Sequence, residues 1–381
     1  MVDPADRRAV PRRRWVLPAL AAAAALLFGY VGTHRYPVEA PRQAAPTPVE
    51  TFGDGLPRVT GPRGAGPAGL RLLVSGAYPQ VLDAHTGRSR PVPGLQLRPD
   101  EGARLQIVPG GLVATIGSAS TVRPRSVLLP AGGRPVPLGE DVRVVPAWRG
   151  RNLLVFSYGP GGSAVSTIDR TGRVRASWAG RGLVTPLRDT AAGLLVARSA
   201  TAGSSGADLA MVDPATGAVR RKLATDRFAV AVGPVAVAHV PASCSRSCRL
   251  TVTRLADGRS RDYPTPDAGI PSRGEFSPDG RWLALGVPGQ YVNGRLTIRP
   301  GFAAVLELAD GELLRVGGVE TPAERSADLS WWGPDQLVLG VWWDDGARVA
   351  LWSARRPAEP ARVLEAKPPG SYQYSTVTAL P

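Results

Sequence analysis

A tight, glycine-bearing turn recurs along this chain at a nearly constant interval, and that interval limits the fold more than any other feature. VLDAHTGR (81–88), LLPAGGRP (128–135), TIDRTGRV (167–174), MVDPATGAV (211–219), TRLADGRS (253–260) and LELADGEL (306–313) each carry a strand-like run into an acidic or small turn. The turn glycines are Gly87, Gly132, Gly172, Gly217, Gly258 and Gly311, spaced by 45, 40, 45, 41 and 53 residues. A further 45 residues reach Arg356 in LWSARRPAEPARVL (351–364), a seventh copy without glycine. Glycine suits such a turn because a tight hairpin needs positive φ, and Asp can bond its own turn backbone.

Ahead of each turn lies a strongly apolar strand: RLLVSG (71–76), GLVATIG (111–117), NLLVFSY (152–158), GLLVARS (193–199), PVAVAHV (234–240), WLALGV (282–287) and QLVLGVWW (336–343). Opening strands such as VRVVPAW (142–148) and FAVAVG (228–233) precede several of these. Four short strands in 40–53 residues is the size of one propeller blade. The expected fold is therefore all-β, a seven-bladed propeller of four-stranded antiparallel blades. A β-sandwich has short strands but no self-similar period of this kind. The 45 Gly and 38 Pro agree with many tight turns, and no long helical periodicity appears after residue 32. The first blade lacks an opening strand, because Pro- and Gly-rich residues 57–69 precede it. The alternating segment 372–380 has no hairpin partner of its own, so it is expected to pair with 71–76 and close the ring.

FSPDGRWLA (276–284) resembles the F-S-P-D-G-x-x-[ILV]-A signature of TolB-like and WD-repeat-like propellers, and LSWWGPDQL (329–337) is a degraded copy. The resemblance implies a turn between the first two strands of a blade, with Pro and Asp-Gly setting its dihedrals. It speaks for fold; this architecture hosts many functions.

The address comes from the N-terminus. Residues 15–32, WVLPALAAAAALLFGYVG, contain no charged side chain and follow Arg7, Arg8, Arg12, Arg13 and Arg14. As a helix they span about 27 Å, near bilayer thickness, and the positive-inside rule keeps residues 1–14 in the cytoplasm. A cleaved signal peptide is the competing reading, but VEA at 38–40 is followed by Pro41, a poor residue after a cut. Residues 33–68, with seven prolines, form a spacer, and 69–381 the propeller. The chain is expected at the cell membrane, single-pass, with the propeller extracytoplasmic. GAGPAG (64–69) fits G-x-G-x-x-G but lacks the strand and helix that a dinucleotide site needs.

Motifs for catalysis are missing. No G-x-S-x-G, H-E-x-x-H or Walker A pattern occurs, and His34, His85 and His239 lie in the spacer, a turn and a strand end. No metal and no cofactor is expected. Cys244 and Cys248, the only cysteines, read as a disulfide at a loop tip in an oxidising compartment, against a metal site shared with His239. The net charge of +15 comes almost wholly from arginine spread along the chain, which reads as a solvated surface, and export argues against nucleic acid. Trp331, Trp332, Trp342, Trp343 and Trp352 are assigned to the core, because adjacent strand residues face opposite, covered sides of a blade.

The connections between second and third strands look longer than the tight third-to-fourth turns: 117–125, 157–164, 199–208, 240–248 and 287–301. In a propeller these share one face, and function concentrates in such loops. Tyr158, Tyr291, Arg295, Arg299, Asp344 and Asp345 are the candidate binding residues. The function expected is non-catalytic capture of an envelope protein or an anionic cell-wall polymer. The alternative is an extracytoplasmic enzyme acting on a glycan or peptide at the channel mouth.

Overall fold

The structure, a computed structural model, describes residues 59–380 except 119–122, 149, 151, 160–161, 181, 200–205, 245–247, 267–268, 293–296, 322–325, 344–345, 367 and 369–375. The proposed anchor at 15–32 and most of the spacer lie outside the described residues. Within the described residues there is no helix, and the strands assemble into successive four-stranded antiparallel units.

The first unit orders Val377–Ala379, Arg71–Val74, Gln80–Asp83 and Ser89–Pro91. The second is Gly102–Val108, Gly111–Gly117, Arg125–Pro130 and Val136–Glu140; the third is Val142–Pro146, Asn152–Gly159, Gly162–Asp169 and Val174–Gly180. The fourth and fifth share one long strand, Val219–Val232. Its first part closes Leu183–Thr190, Gly193–Ser199 and Ala207–Val212, and its last part leads Ala236–Pro241, Arg249–Arg254 and Ser260–Pro264. The sixth is Arg273–Phe276, Trp282–Val287, Gly301–Glu307 and Leu313–Thr321; the seventh is Asp328–Trp332, Gln336–Trp343, Gly346–Ser353 and Arg362–Leu364.

The recurring turns sit where the sequence places them, between third and fourth strands. Gly87, Gly217, Gly258 and Gly311 have φ of 70°, 72°, 77° and 88°. Each donates its N–H to the carbonyl four residues back, at 2.8–2.9 Å. In the fourth unit Asp213 Oδ1 accepts from the N–H groups of Ala215 and Thr216, at 2.9 and 3.0 Å. A Cβ on Gly217 would stand 2.4 Å from the Trp178 ring, so packing as well as φ demands glycine there. The FSPDG segment makes the first-to-second turn of the sixth unit: Gly280 has φ 72°, and Ser277 Oγ accepts from Trp282 N–H at 2.9 Å.

Alternation along each strand buries both faces of every sheet, so apolar clusters fill the spaces between consecutive units. Leu73, Ala103 and Ala114 join the first unit to the second, Val113 and Leu153 the second to the third, and Phe156 and Val196 the third to the fourth. Leu195 with Val237, Leu250 with Leu285, and Trp282 with Trp331 continue the series. Leu72, Val338, Trp342 and Val377 pack the seventh unit on the first. Trp331, Trp342 and Trp352 are buried as expected, and Trp332 packs half-buried against the same core.

The C-terminal strand pairs as its alternation predicts: Val377, Thr378 and Ala379 lie antiparallel opposite Val74, Leu73 and Leu72. It is also held from the seventh unit. Asp328 Oδ2 accepts from Val377 N–H at 3.1 Å and from Trp342 Nε1 at 2.8 Å, and Ser330 Oγ accepts from Ala379 N–H at 3.0 Å. The far end of the segment read as spacer also meets the sheets. Arg63–Gly64 pairs in parallel with Val363–Leu364, and Val59 bridges Val319. Two-residue parallel pairing leaves no periodic trace in a sequence, so this contact had no signal to read.

Two connections correct the expected contrast in loop length. The segment 157–164 is mostly strand, with Tyr158 opposite Ser163 and Gly159 opposite Gly162, leaving two residues between. Trp343 likewise pairs with Gly346. Gly and Pro in SYGPGGSA signal a turn but not its length; Gly162, at φ 130°, lets the strands run to the turn's edge.

Candidate functional site

The leading strand of each unit except the fifth, which continues the long strand Val219–Val232, is an edge strand of its sheet. These edges converge. Arg188, on the leading strand of the fourth unit, donates from Nη1 to the Val232 carbonyl of the fifth at 3.2 Å. Its charge also acts on Glu275, on the leading strand of the sixth. Solvent reaches Arg188, yet protein surrounds it enough that burial pulls its pKa down. That combination is expected of a group inside a channel.

Exposed arginines recur at this convergence: Arg104, Arg143, Arg188 and Arg273 lie on the leading strands of the second, third, fourth and sixth units. Asp189, Glu275 and Asp328 lie on the leading strands of the fourth, sixth and seventh units, and Asp189 accepts from the Trp148 and Thr190 N–H groups. Asp328 is buried, which raises its pKa, but its oxygens are engaged by Arg273, Trp342 and Val377, so it is a structural acid. Glu275 is half-buried; burial pushes its pKa up to about 7, against smaller opposing pulls from a Trp331 backbone hydrogen bond and from Arg188. Trp331 Nε1 holds the backbone carbonyl of Glu275 at 2.9 Å, which fixes the strand.

A carboxyl whose pKa is raised in the folded state binds more protons folded than unfolded between its two pKa values. Glu275 should therefore lower stability as pH climbs from about 4.5, its ordinary value, to about 7. Glu275→Gln is expected to raise the melting temperature at pH 8 and change it little at pH 4, a differential on the order of 2–3 kcal/mol. Melting curves at both pH values check this; equal shifts at both would place the carboxyl in solvent.

Of the sequence-predicted residues, Tyr158 joins this set. It lies half-buried in a strand; burial raises its pKa, while nearby Arg143 lowers it. Tyr291 and Arg299 lie on a separate two-stranded hairpin inserted into the sixth unit, opposite Ile298 and Gln290, and Arg299 is exposed. Arg295, Asp344 and Asp345 lie outside the described residues. Cys244 and Cys248 form the expected disulfide, with Cα atoms 5.9 Å apart. His239 is buried on Thr253 Oγ1 at 2.9 Å, with its pKa pushed down to about 4 by burial and by Arg227. It therefore shares no metal with the paired cysteines. The leading-strand arginines escaped sequence reading because single Arg residues 39–85 positions apart look like a dispersed solvated surface until the units are stacked.

The sheets describe a β-propeller. No family model matches the sequence, and no curated protein matches it. Solved structures do. Prolyl oligopeptidase B from Galerina marginata, bound to a 35mer hydrolysis and macrocyclization substrate, is similar over 77% of this chain and 48% of its own, at 8% identity and TM-score 0.52. TolB from Acinetobacter baumannii is similar over 81% and 82%, at 14% identity and TM-score 0.41. A putative TolB from Agrobacterium tumefaciens is similar over 82% and 100%, at 12% identity and TM-score 0.41. Likeness at these identities concerns the fold alone.

Proposed function

We propose that this chain is a membrane-anchored, extracytoplasmic propeller of seven blades, closed by its C-terminal strand, that captures an anionic partner without transforming it. The closed ring is supported by the apolar clusters joining each unit to the next and the seventh to the first. The anchor is residues 15–32, with residues 1–14 cytoplasmic and a proline-rich spacer leading to the propeller. The observation that carries the binding reading is the set of exposed arginines on converging edge strands, Arg104, Arg143, Arg188 and Arg273. Such a surface raises the local concentration of anions and steers their approach. The partner is an envelope protein presenting an acidic face, or an anionic cell-wall polymer, reached through the channel mouth and the loops around it.

Photo-crosslinking in native membranes tests this. The full-length chain should capture a partner that a variant carrying Arg104→Glu and Arg143→Glu captures at least tenfold less. Equal capture by both would remove the arginines from the site. A second reading, an enzyme acting on a glycan or peptide, is favoured by Glu275 alone, since a carboxyl titrating near 7 suits general acid–base work. Glycoside chemistry needs a second acid in reach, and Asp328 is tied up in structure.

A further inference from the structure

A cleft of about 530 Å³ opens on the first unit, between the connection of its second and third strands and the segment after its outer strand. Tyr78, Gln80, Pro91, Val92, Leu95 and Leu97 line it, and none of its lining residues carries a charge in a chain of net charge +15. Tyr78 stands at the rim, 67% exposed, where an aromatic ring gains nothing from the fold. Gln80 sits in the cleft wall, 7% exposed, and its Nε2 has no hydrogen-bond partner. A buried amide left unpaired costs about 1–3 kcal/mol, which an incoming acceptor would recover. Outside the apolar lining, exposed arginines outnumber the one exposed acid of residues 84–101, Asp100. Arg88 and Arg90 on the outer strand and Arg98 beyond Leu97 are all exposed, while nearby Glu101 is taken up by Arg125.

From these features we infer that the cleft is a docking site for an acidic peptide segment of a protein partner, separate from the channel. A bulky apolar residue of the peptide fills the space between Tyr78 and Leu97. A backbone carbonyl accepts from Gln80, and flanking Asp or Glu residues meet Arg90 and Arg98. The volume lies within the range of ligand pockets and holds one or two large side chains. An apolar anchor ringed by complementary charge is the arrangement from which most interface energy comes. The lining explains why a purely polar polymer would be refused, and the arginines why a basic peptide would be.

Fluorescence anisotropy with a labelled, end-blocked hexapeptide, Asp-Glu-Leu-Phe-Glu-Asp, titrated with the full-length protein in detergent, tests the site. Binding should be saturable and weaken by about tenfold or more in Tyr78→Ala and in Gln80→Met. It should weaken several-fold in the double variant Arg90→Glu, Arg98→Glu. Because Tyr78 is exposed, Tyr78→Ala should keep the wild-type melting temperature. Because the arginines on the leading strands also attract anions, the apolar anchor separates this site from them: the same peptide with two alanines for Leu-Phe keeps the charge and should bind at least tenfold more weakly. The inference is overturned if the wild type does not bind, or if a peptide with two alanines for Leu-Phe binds equally well. Binding unchanged in Tyr78→Ala and Gln80→Met would overturn it too.

Discussion

Removing residues 376–381 is expected to abolish soluble, protease-resistant protein, although the segment supplies only a three-residue strand. The strand does two jobs. It completes the first sheet through Leu72, Leu73 and Val74, and it gives Val377 and Ala379 N–H groups to Asp328 and Ser330 of the seventh unit. Without it the Arg71–Val74 edge is open, Val377 leaves the shared cluster, and Asp328 and Ser330 lose partners in a buried place. An open apolar edge invites pairing with other chains, so the expected outcome is aggregation and not a slightly less stable monomer. Expression followed by limited proteolysis and gel filtration checks this. A truncated protein that stays monomeric and resists protease would show that the strand is dispensable.

The second large effect is expected from Asp328→Ala. This carboxylate is buried among Arg273, Trp342 Nε1 and Val377 N–H, and it ties three strands together. Alanine leaves the buried indole and amide donors unpaired, each at about 1–3 kcal/mol, while the half-exposed Arg273 turns to water. Asp328→Asn keeps the shape and one acceptor oxygen, so it should lose less, roughly half as much. Denaturant unfolding at pH 7 measures both. Equal, small losses would mean that water already serves these donors.

The fold was legible in the sequence where the physics is local. Positive φ at Gly87, Gly217, Gly258 and Gly311 marks each third-to-fourth turn, and runs such as GLLVARS and WLALGV become strands with the bounds their apolar character suggests. The C-terminal pairing was legible by elimination, as one strand lacked a partner at each end. The site was legible only in part. Arg104, Arg143, Arg188 and Arg273 come together through the stacking of sheets, and nothing in their spacing announces it. Tyr158 belongs near them for a reason other than the loop first assigned to it: its strand carries it beside Arg143. Asp328 carries no motif either, and its part in holding Val377 appears only once the seventh sheet lies beside the first.

The proposed capture of an anionic partner, without transformation, by the arginines of the leading strands makes a direct demand on binding. The most direct test measures binding of a defined polyanion, end-labelled polyglutamate, to the full-length chain over a range of salt concentrations, with the recovered polymer sized afterwards. Affinity should fall steeply with salt, as screening of the cationic surface requires. A loss of tenfold or more is expected in the variant Arg104→Glu, Arg143→Glu, with polymer of unchanged length. Affinity that is insensitive to salt and to the charge reversals, or polymer recovered shortened, would contradict it.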